Sequence, residues 1–398
     1  MPVRKLLFIA VCVPVLIGGG WYYFHQRTLF PAYGPLYREY AYITNGKSNS
    51  VSVIDLTSDP VKGFTVVRTL PVGIEPTGVA ANPQKNEIYV VNSGSANVSV
   101  IDAEHNKVVA TIGVYGRPYF IDVSPDGHRA YVANSGSNNV SVLDLDHRAV
   151  AATLRVGVNP GLARVSPDGS TVVVSNRADN SVSIIDAARL TVRAAIGICL
   201  QPEDIAILPD SSKAFVSCSG SGQVASIDLK NDKLLALLDV GKSPVSLALK
   251  PDGGELVVFN FDAGSISIIE TTPNEVLGSY LVGAQPTRGV FSLDNSRLYI
   301  SNFASNNIAV YDIDLGKVVA FLPVGTRPDA LALTQNQEYV LVVDSGSSDV
   351  AILQRRQPGK KKFEPSEYSL LTIIPVGVQP NQIVVKSFLL TKPAADHP

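Results

Sequence analysis

Histidine, cysteine and methionine are scarce in this 398-residue chain, which carries five, three and one of them. That leaves little material for the imidazole, thiolate and thioether ligands on which zinc, iron–sulfur and most haem sites depend. His25 and His397 lie near the termini, and His105, His128 and His147 fall in the polar segments AEHNK, PDGHR and DLDHR. Their placement argues against haem ligation and against a His-assisted hydrolase. No metal-ligand spacing, phosphate loop or nucleophile elbow is present, so no catalytic residue, metal or cofactor is expected. A basic excess is missing too: the net charge is −2, and a nucleic-acid partner, which needs a positive face, is excluded. Beyond residue 30 no stretch sustains the 3.6-residue hydrophobic period of a helix.

What the chain has in abundance is repetition. YVANSGSNNVSVLDL, from Tyr131, is rewritten as YITNGKSNSVSVIDL from Tyr42, as YVVNSGSANVSVIDA from Tyr89 and five more times toward the C-terminus. A VGxxP turn sets the period. Its prolines are Pro76, Pro118, Pro160, Pro202, Pro244, Pro286, Pro328 and Pro380, spaced 42 residues apart except for a last interval of 52. Within one unit, YFIDVS, RAYVAN, NVSVLDL and VAATLRV read as four strands, rich in Val, Ile and Tyr and separated by Gly, Pro, Asn, Asp and Ser. A period of this length with four strands per unit predicts an all-β propeller with one blade per unit.

Blade number follows from the ends. The first copy supplies YAYITN, SVSVIDL and FTVVRTL but no innermost strand, and the last full unit is followed by one surplus strand, NQIVVKS. Joining surplus to deficit closes a ring of eight blades with no open edge; seven is the alternative, if the N-terminal piece packs outside. The composition, 45% hydrophobic and 17% charged, suits one large propeller spanning residues 40–388, with a linker at 31–39 and a tail at 389–398.

Residues 1–30 differ in kind. Arg4 and Lys5 precede an uncharged run from Leu6 to Phe24, long enough to cross a bilayer as a helix, with Trp21, Tyr22 and Tyr23 at the far interface. The positive-inside rule then puts the propeller on the periplasmic or extracellular side, membrane-anchored. A cleaved signal peptide is the alternative. Cys12 lacks the preceding small residue of a lipoprotein cysteine.

The YVANSGSNNVSVLD line, the SPDG turn before it and the VGxxP turn after it resemble the YVTN-repeat β-propeller family over residues 40–388. The resemblance implies the propeller fold and an exported or cell-surface setting. It places the chain in a superfamily that includes lactonase-like propellers and the haem-binding propeller domain of nitrite reductases. Fold alone does not choose among those activities.

The repeat supplies its own control, because positions shared by all blades belong to architecture. Asn45, Asn92, Asn134, Asn176, Asn260 and Asn302 recur and are read as loop-organising Asx residues; the SPDG turns at Ser124 and Ser166 are read as hairpin chemistry. Departures are more telling. Four residues after the proline, two neighbouring blades place Asp122 and Arg164 where the others are small and apolar. Glu203 and Asp329 follow their prolines directly, Asp204 and Arg288 come one residue later, and Arg327 and Arg117 precede theirs. Asp122 and Arg164 read either as an inter-blade ion pair or, with Glu203, Asp204, Arg288, Arg327 and Asp329, as a polar binding pocket at one mouth of the channel. Mixed charge suits a zwitterion or a sugar acid.

Two further departures are paired. Cys199 replaces the glycine of VGxxP and Cys218 replaces the recurring asparagine, which in an oxidising compartment suggests a disulfide. In the last blade a long turn carries Arg355, Arg356, Lys360, Lys361 and Lys362. It reads as a solvated loop or as a contact with anionic lipid headgroups beside the anchor. Together these features point to a membrane-anchored extracytoplasmic propeller that binds a small polar ligand or a protein partner. A lactonase-type hydrolase and an adhesin-like surface structure are the alternatives.

Overall fold

The structure, a computed structural model, describes residues 34–57, 64–355 and 368–390. Every regular element among them is a strand, and the strands form eight antiparallel four-stranded sheets. The main unit runs from Glu39 to Lys386. A small second unit comprises Met1–Arg38 and Ser387–Pro398; its described part holds a backbone hydrogen bond from Leu390 N–H to Leu36 C=O at 2.8 Å.

The ring has eight blades and closes as the sequence predicts. Blade one takes its three outer strands from Tyr37–Asn45, Ser50–Asp55 and Thr65–Pro71, and its innermost strand from Pro380–Leu389 at the other end of the chain. Blades two to eight begin at Pro76, Pro118, Pro160, Pro202, Pro244, Pro286 and Pro328. Closure extends beyond the ladder: Asn381 Nδ2 donates to the Pro76 carbonyl at 2.9 Å and Lys386 Nζ to the Asn82 carbonyl at 2.6 Å, tying the C-terminal strand to blade two.

The core lies between blades. Ala41, Ile43 and Ile54 of blade one pack against Leu341, Val343 and Ile352 of blade eight, and comparable clusters join blade two to three, three to four and onward to eight. Middle strands such as EIYVVN are covered on both faces and so are apolar at nearly every position, whereas outermost strands such as KLLALLD are largely exposed.

Two local features recur and aim side chains at the channel. The residue before each blade-opening proline has a left-handed backbone, from Glu75 at φ 53° to Gln379 at φ 54°. Just after the proline the register slips, as between Pro286 and Arg288 or Pro202 and Ile205. Proline cannot donate to the ladder, and a bulge beside it turns the next one or two side chains toward the mouth.

The recurring asparagines differ from the sequence expectation. They are buried, and in place of an Asx turn each donates Nδ2 across the hairpin: Asn45 to Ser50 Oγ and Ser52 Oγ at 3.1 and 3.0 Å, Asn134 to Asn139 Oδ1 and Ser141 Oγ at 2.7 and 2.9 Å. Their side chains also press on the VGxxP glycine, since a Cβ on Gly241 would meet Asn260 Cγ at 2.5 Å. That contact explains the cysteines. In blade five the glycine and asparagine positions, already touching, become Cys199 and Cys218, which form a disulfide with Cα atoms 5.7 Å apart.

The SPDG turns are hairpin turns: Gly127 and Gly169 sit at φ 72° and 73°, and Arg129 N–H donates to Ser124 Oγ at 3.0 Å. The residues 1–30 read as an anchor, and Arg356, Lys360, Lys361 and Lys362, lie outside the described residues. Arg355 is described, with its guanidinium 3.8 Å from Asp294 Oδ2.

Candidate functional site

The bulged starts of the inner strands converge on a cavity of about 310 Å³ at the VGxxP end of the channel. Four of the sequence-derived candidates line it: Glu203, Asp204, Arg288 and Asp329. Asp122 and Arg164 belong instead to a second cavity of about 400 Å³, farther along the inner strands of blades one to four. Arg327 lines neither. It is the left-handed residue before Pro328, at φ 55°, its N–H bound to Asn306 Oδ1 at 2.9 Å and its guanidinium 5.8 Å from the Phe303 ring centre.

One side of the mouth, from blades three to six, is chemically closed. Arg164 links two carboxylates, at 4.0 Å from Asp122 Oδ2 and 3.5 Å from Asp204 Oδ1, while its guanidinium lies 4.8 Å from the Phe120 ring centre. The ion pair read from the sequence is therefore a triad. Each aspartate also stitches its blade to the next: Asp122 Oδ2 accepts from Val165 N–H at 3.0 Å, and Asp204 Oδ2 accepts from Ser246 Oγ at 2.8 Å and Leu247 N–H at 3.1 Å. Burial pushes the Asp122 carboxyl above its usual range, against the pull of Arg164 and of two backbone donors. Glu203 pairs with Arg177 at 2.7 Å, and Arg177 in turn covers the Tyr119 ring at 4.4 Å. Gly161 makes the crossing possible, because a Cβ there would come within 2.7 Å of Arg177 Nε.

The other side, from blades seven and eight, is open. Arg288 is half-buried and its backbone is fixed, with N–H to Ser301 Oγ at 3.2 Å and C=O accepting from that hydroxyl at 3.1 Å. Its guanidinium has no hydrogen-bond or ion-pair partner among the described residues. Asp329, from the next blade, likewise keeps its carboxylate without such a partner; burial raises its pKa while Arg288 pulls it back down. Val245 and Phe261 of blade six and Leu162 of blade four supply apolar wall.

Scanning residues after the proline misses Arg177 and Phe261, which lie one residue after the recurring asparagine. The signal was present: that position is Gly46, Ser93, Ser135, Ser219 and Ser345 in five blades, and Arg177, Phe261 and Phe303 in the others.

A ring of eight four-stranded blades with a polar axial mouth defines the class, and comparison with known proteins refines it. Residues 79–200 match the family model described as the Cytochrome D1 heme domain. Over that segment the chain is similar to this family, and its described residues have the eight-bladed β-propeller fold. Among solved structures it is similar to the dihydro-heme d1 dehydrogenase NirN in complex with DHE, at 16% identity and a TM-score of 0.72, over 89% of this chain and 76% of that one. It is also similar to Kuenenia stuttgartiensis hydrazine synthase, at 21% identity and TM-score 0.57, over 70% and 95% of the two chains. A functionally unknown protein from Desulfotomaculum acetoxidans matches at 16% identity and TM-score 0.59, over 76% and 99%. At these identities the likeness is one of fold. No curated protein sequence matches the chain.

The family description implies a haem, and the mouth does not fit one held through its iron. Haem iron takes His, Cys, Met or Tyr. The described histidines are exposed and bound to aspartates, His105 to Asp102, His128 to Asp146 and His147 to Asp144. Cys199 and Cys218 are bonded to each other, and no methionine lines the cavity. Tyr119 does line it, but its ring is held beneath Arg177.

Proposed function

We propose that this chain is a membrane-anchored, extracytoplasmic propeller that binds a small polar ligand at the VGxxP mouth of its channel. The observation that carries this reading is Arg288, a half-buried guanidinium without a partner among the described residues, on the wall of a cavity of about 310 Å³. That volume falls at the small end of the range for small-molecule sites, about 300–1,000 Å³. A half-buried cation without a partner is costly to keep, and an anionic group on the ligand would complete it. The anchor rests on the uncharged run Leu6–Phe24 behind Arg4 and Lys5.

The hydrolase alternative is less well supported. Of the carboxylates it would recruit, Glu203 is paired with Arg177 and Asp204 is bound to Ser246 and Leu247, which leaves Asp329. The test is a thermal-shift screen of small carboxylates, amino acids and lactones on the full chain in detergent. Saturable stabilisation that disappears in Arg288→Ala supports a binding role, turnover of a lactone that disappears in the same variant supports the enzyme, and no response to any compound counts against both.

A further inference from the structure

The two open groups at the mouth have opposite signs and sit on adjacent blades. Arg288 is two residues after Pro286, which opens blade seven, and Asp329 is one residue after Pro328, which opens blade eight. They sense each other electrostatically, yet no Arg288 nitrogen comes within 4.0 Å of an Asp329 oxygen. Elsewhere in the channel the ionised groups have settled their needs: Arg177 with Glu203, and Arg164 with Asp122 and Asp204. Blades seven and eight, by contrast, hold one donor fork and one acceptor apart.

A simple anion on Arg288 would bring its charge next to Asp329, and a simple amine on Asp329 would meet Arg288. Each single ion gains one partner and one repulsion. A ligand carrying both charges a few bonds apart removes the conflict, its carboxylate meeting the Arg288 fork and its ammonium meeting Asp329. The rest of the cavity says what lies between and beyond those charges. Val245, Phe261 and Leu162 are apolar, while the remaining charged side chains of the wall already have partners, so the body of the ligand is uncharged and largely apolar.

The geometry points to a zwitterion of α-amino-acid type with an apolar side chain as the ligand of this mouth, held by Arg288 and Asp329 with the side chain toward Phe261. This rests on the binding reading above and narrows it to a chemical class.

Calorimetric titration of the full chain in detergent with three congeners tests it: L-phenylalanine, 3-phenylpropanoate, which lacks the ammonium, and 2-phenylethylamine, which lacks the carboxylate. The expected result is that the amino acid binds about tenfold to a hundredfold more tightly than either congener, the range for one lost charged hydrogen-bonding partner. Arg288→Ala and Asp329→Asn should each remove that advantage without lowering the unfolding temperature, and Asp329→Asn should narrow the gap between the amino acid and 3-phenylpropanoate in particular. Equal binding of 3-phenylpropanoate and L-phenylalanine would overturn the zwitterion while leaving an anion site at Arg288 standing. Binding of none of the three by a chain that responds to another small polar compound would overturn the amino-acid class alone, and unaltered L-phenylalanine binding in both variants would place any site away from these residues.

Discussion

The two sides of the channel mouth are built from the same repeat and have opposite characters. In blades three to six the charges that meet at the channel pair with one another or with backbone: Arg164 between Asp122 and Asp204, Asp204 on Ser246 and Leu247 of the following blade, Arg177 on Glu203. In blades seven and eight, Arg288 and Asp329 face the same cavity without such partners. Departures from a repeat are thus of two kinds, those that complete one another within the ring and those that leave a need unmet, and only the second kind points to a ligand.

The largest effect should come from breaking the closed side. Asp204→Ala removes the acceptor of Ser246 and Leu247 N–H and one counter-charge of Arg164. Its expected cost is about 2–4 kcal/mol, read as a drop in denaturation midpoint. A loss below about 0.5 kcal/mol would mean that the two sides are energetically alike. Next comes the staple behind that side. Reducing Cys199–Cys218, which closes a sequence separation of 19 residues, should lower stability by about 3 kcal/mol in the loop-entropy account, and Cys199→Gly with Cys218→Asn, which restores the repeat's own pair, should recover part of it.

Blade eight gives the third comparison. Where six blades have asparagine, it has Asp344, fully buried, with Asp349 where the asparagine's hydrogen-bond acceptor usually stands. Burial, and then the neighbouring Asp349 carboxylate, push Asp344 up to about 8, although Gly325 N–H donates to it at 3.0 Å. Protonated, Asp344 can donate as the asparagine amide does. Between about pH 4 and pH 8 the unfolded chain has released this proton and the folded chain keeps it, so this group makes stability fall as pH rises through that window and level off above it. Asp344→Asn should therefore stabilise the protein by about 0.5–2 kcal/mol at pH 8 and much less at pH 4, measured by chemical denaturation at both. An equal gain at the two pH values would show that the proton is not involved. The smallest structural effect belongs to the open side: Arg288→Ala should change stability by less than about 0.5 kcal/mol while removing ligand binding.

Much of the architecture was legible because the repeat is its own alignment. The 42-residue spacing of the prolines gave the blades, the missing first strand and the surplus last one gave the closure, and the joint loss of glycine and asparagine at Cys199 and Cys218 marked two positions that touch. The site was only partly legible. Position after the proline identified Glu203, Asp204, Arg288 and Asp329, but not which of them were satisfied, because that depends on partners such as Arg177 and Ser246 brought from other strands. Arg327 was misleading for a local reason: its left-handed backbone and its place beside Phe303 take it out of the cavity lining.

The most direct test is what the mouth holds when the protein is isolated from its native source. Native mass spectrometry of the full chain, isolated without added ligand and compared with Arg288→Ala, should show a small-molecule adduct on the wild type that is absent from the variant. The same adduct on both proteins, or bare protein in both, would contradict a ligand held by the open side of the mouth.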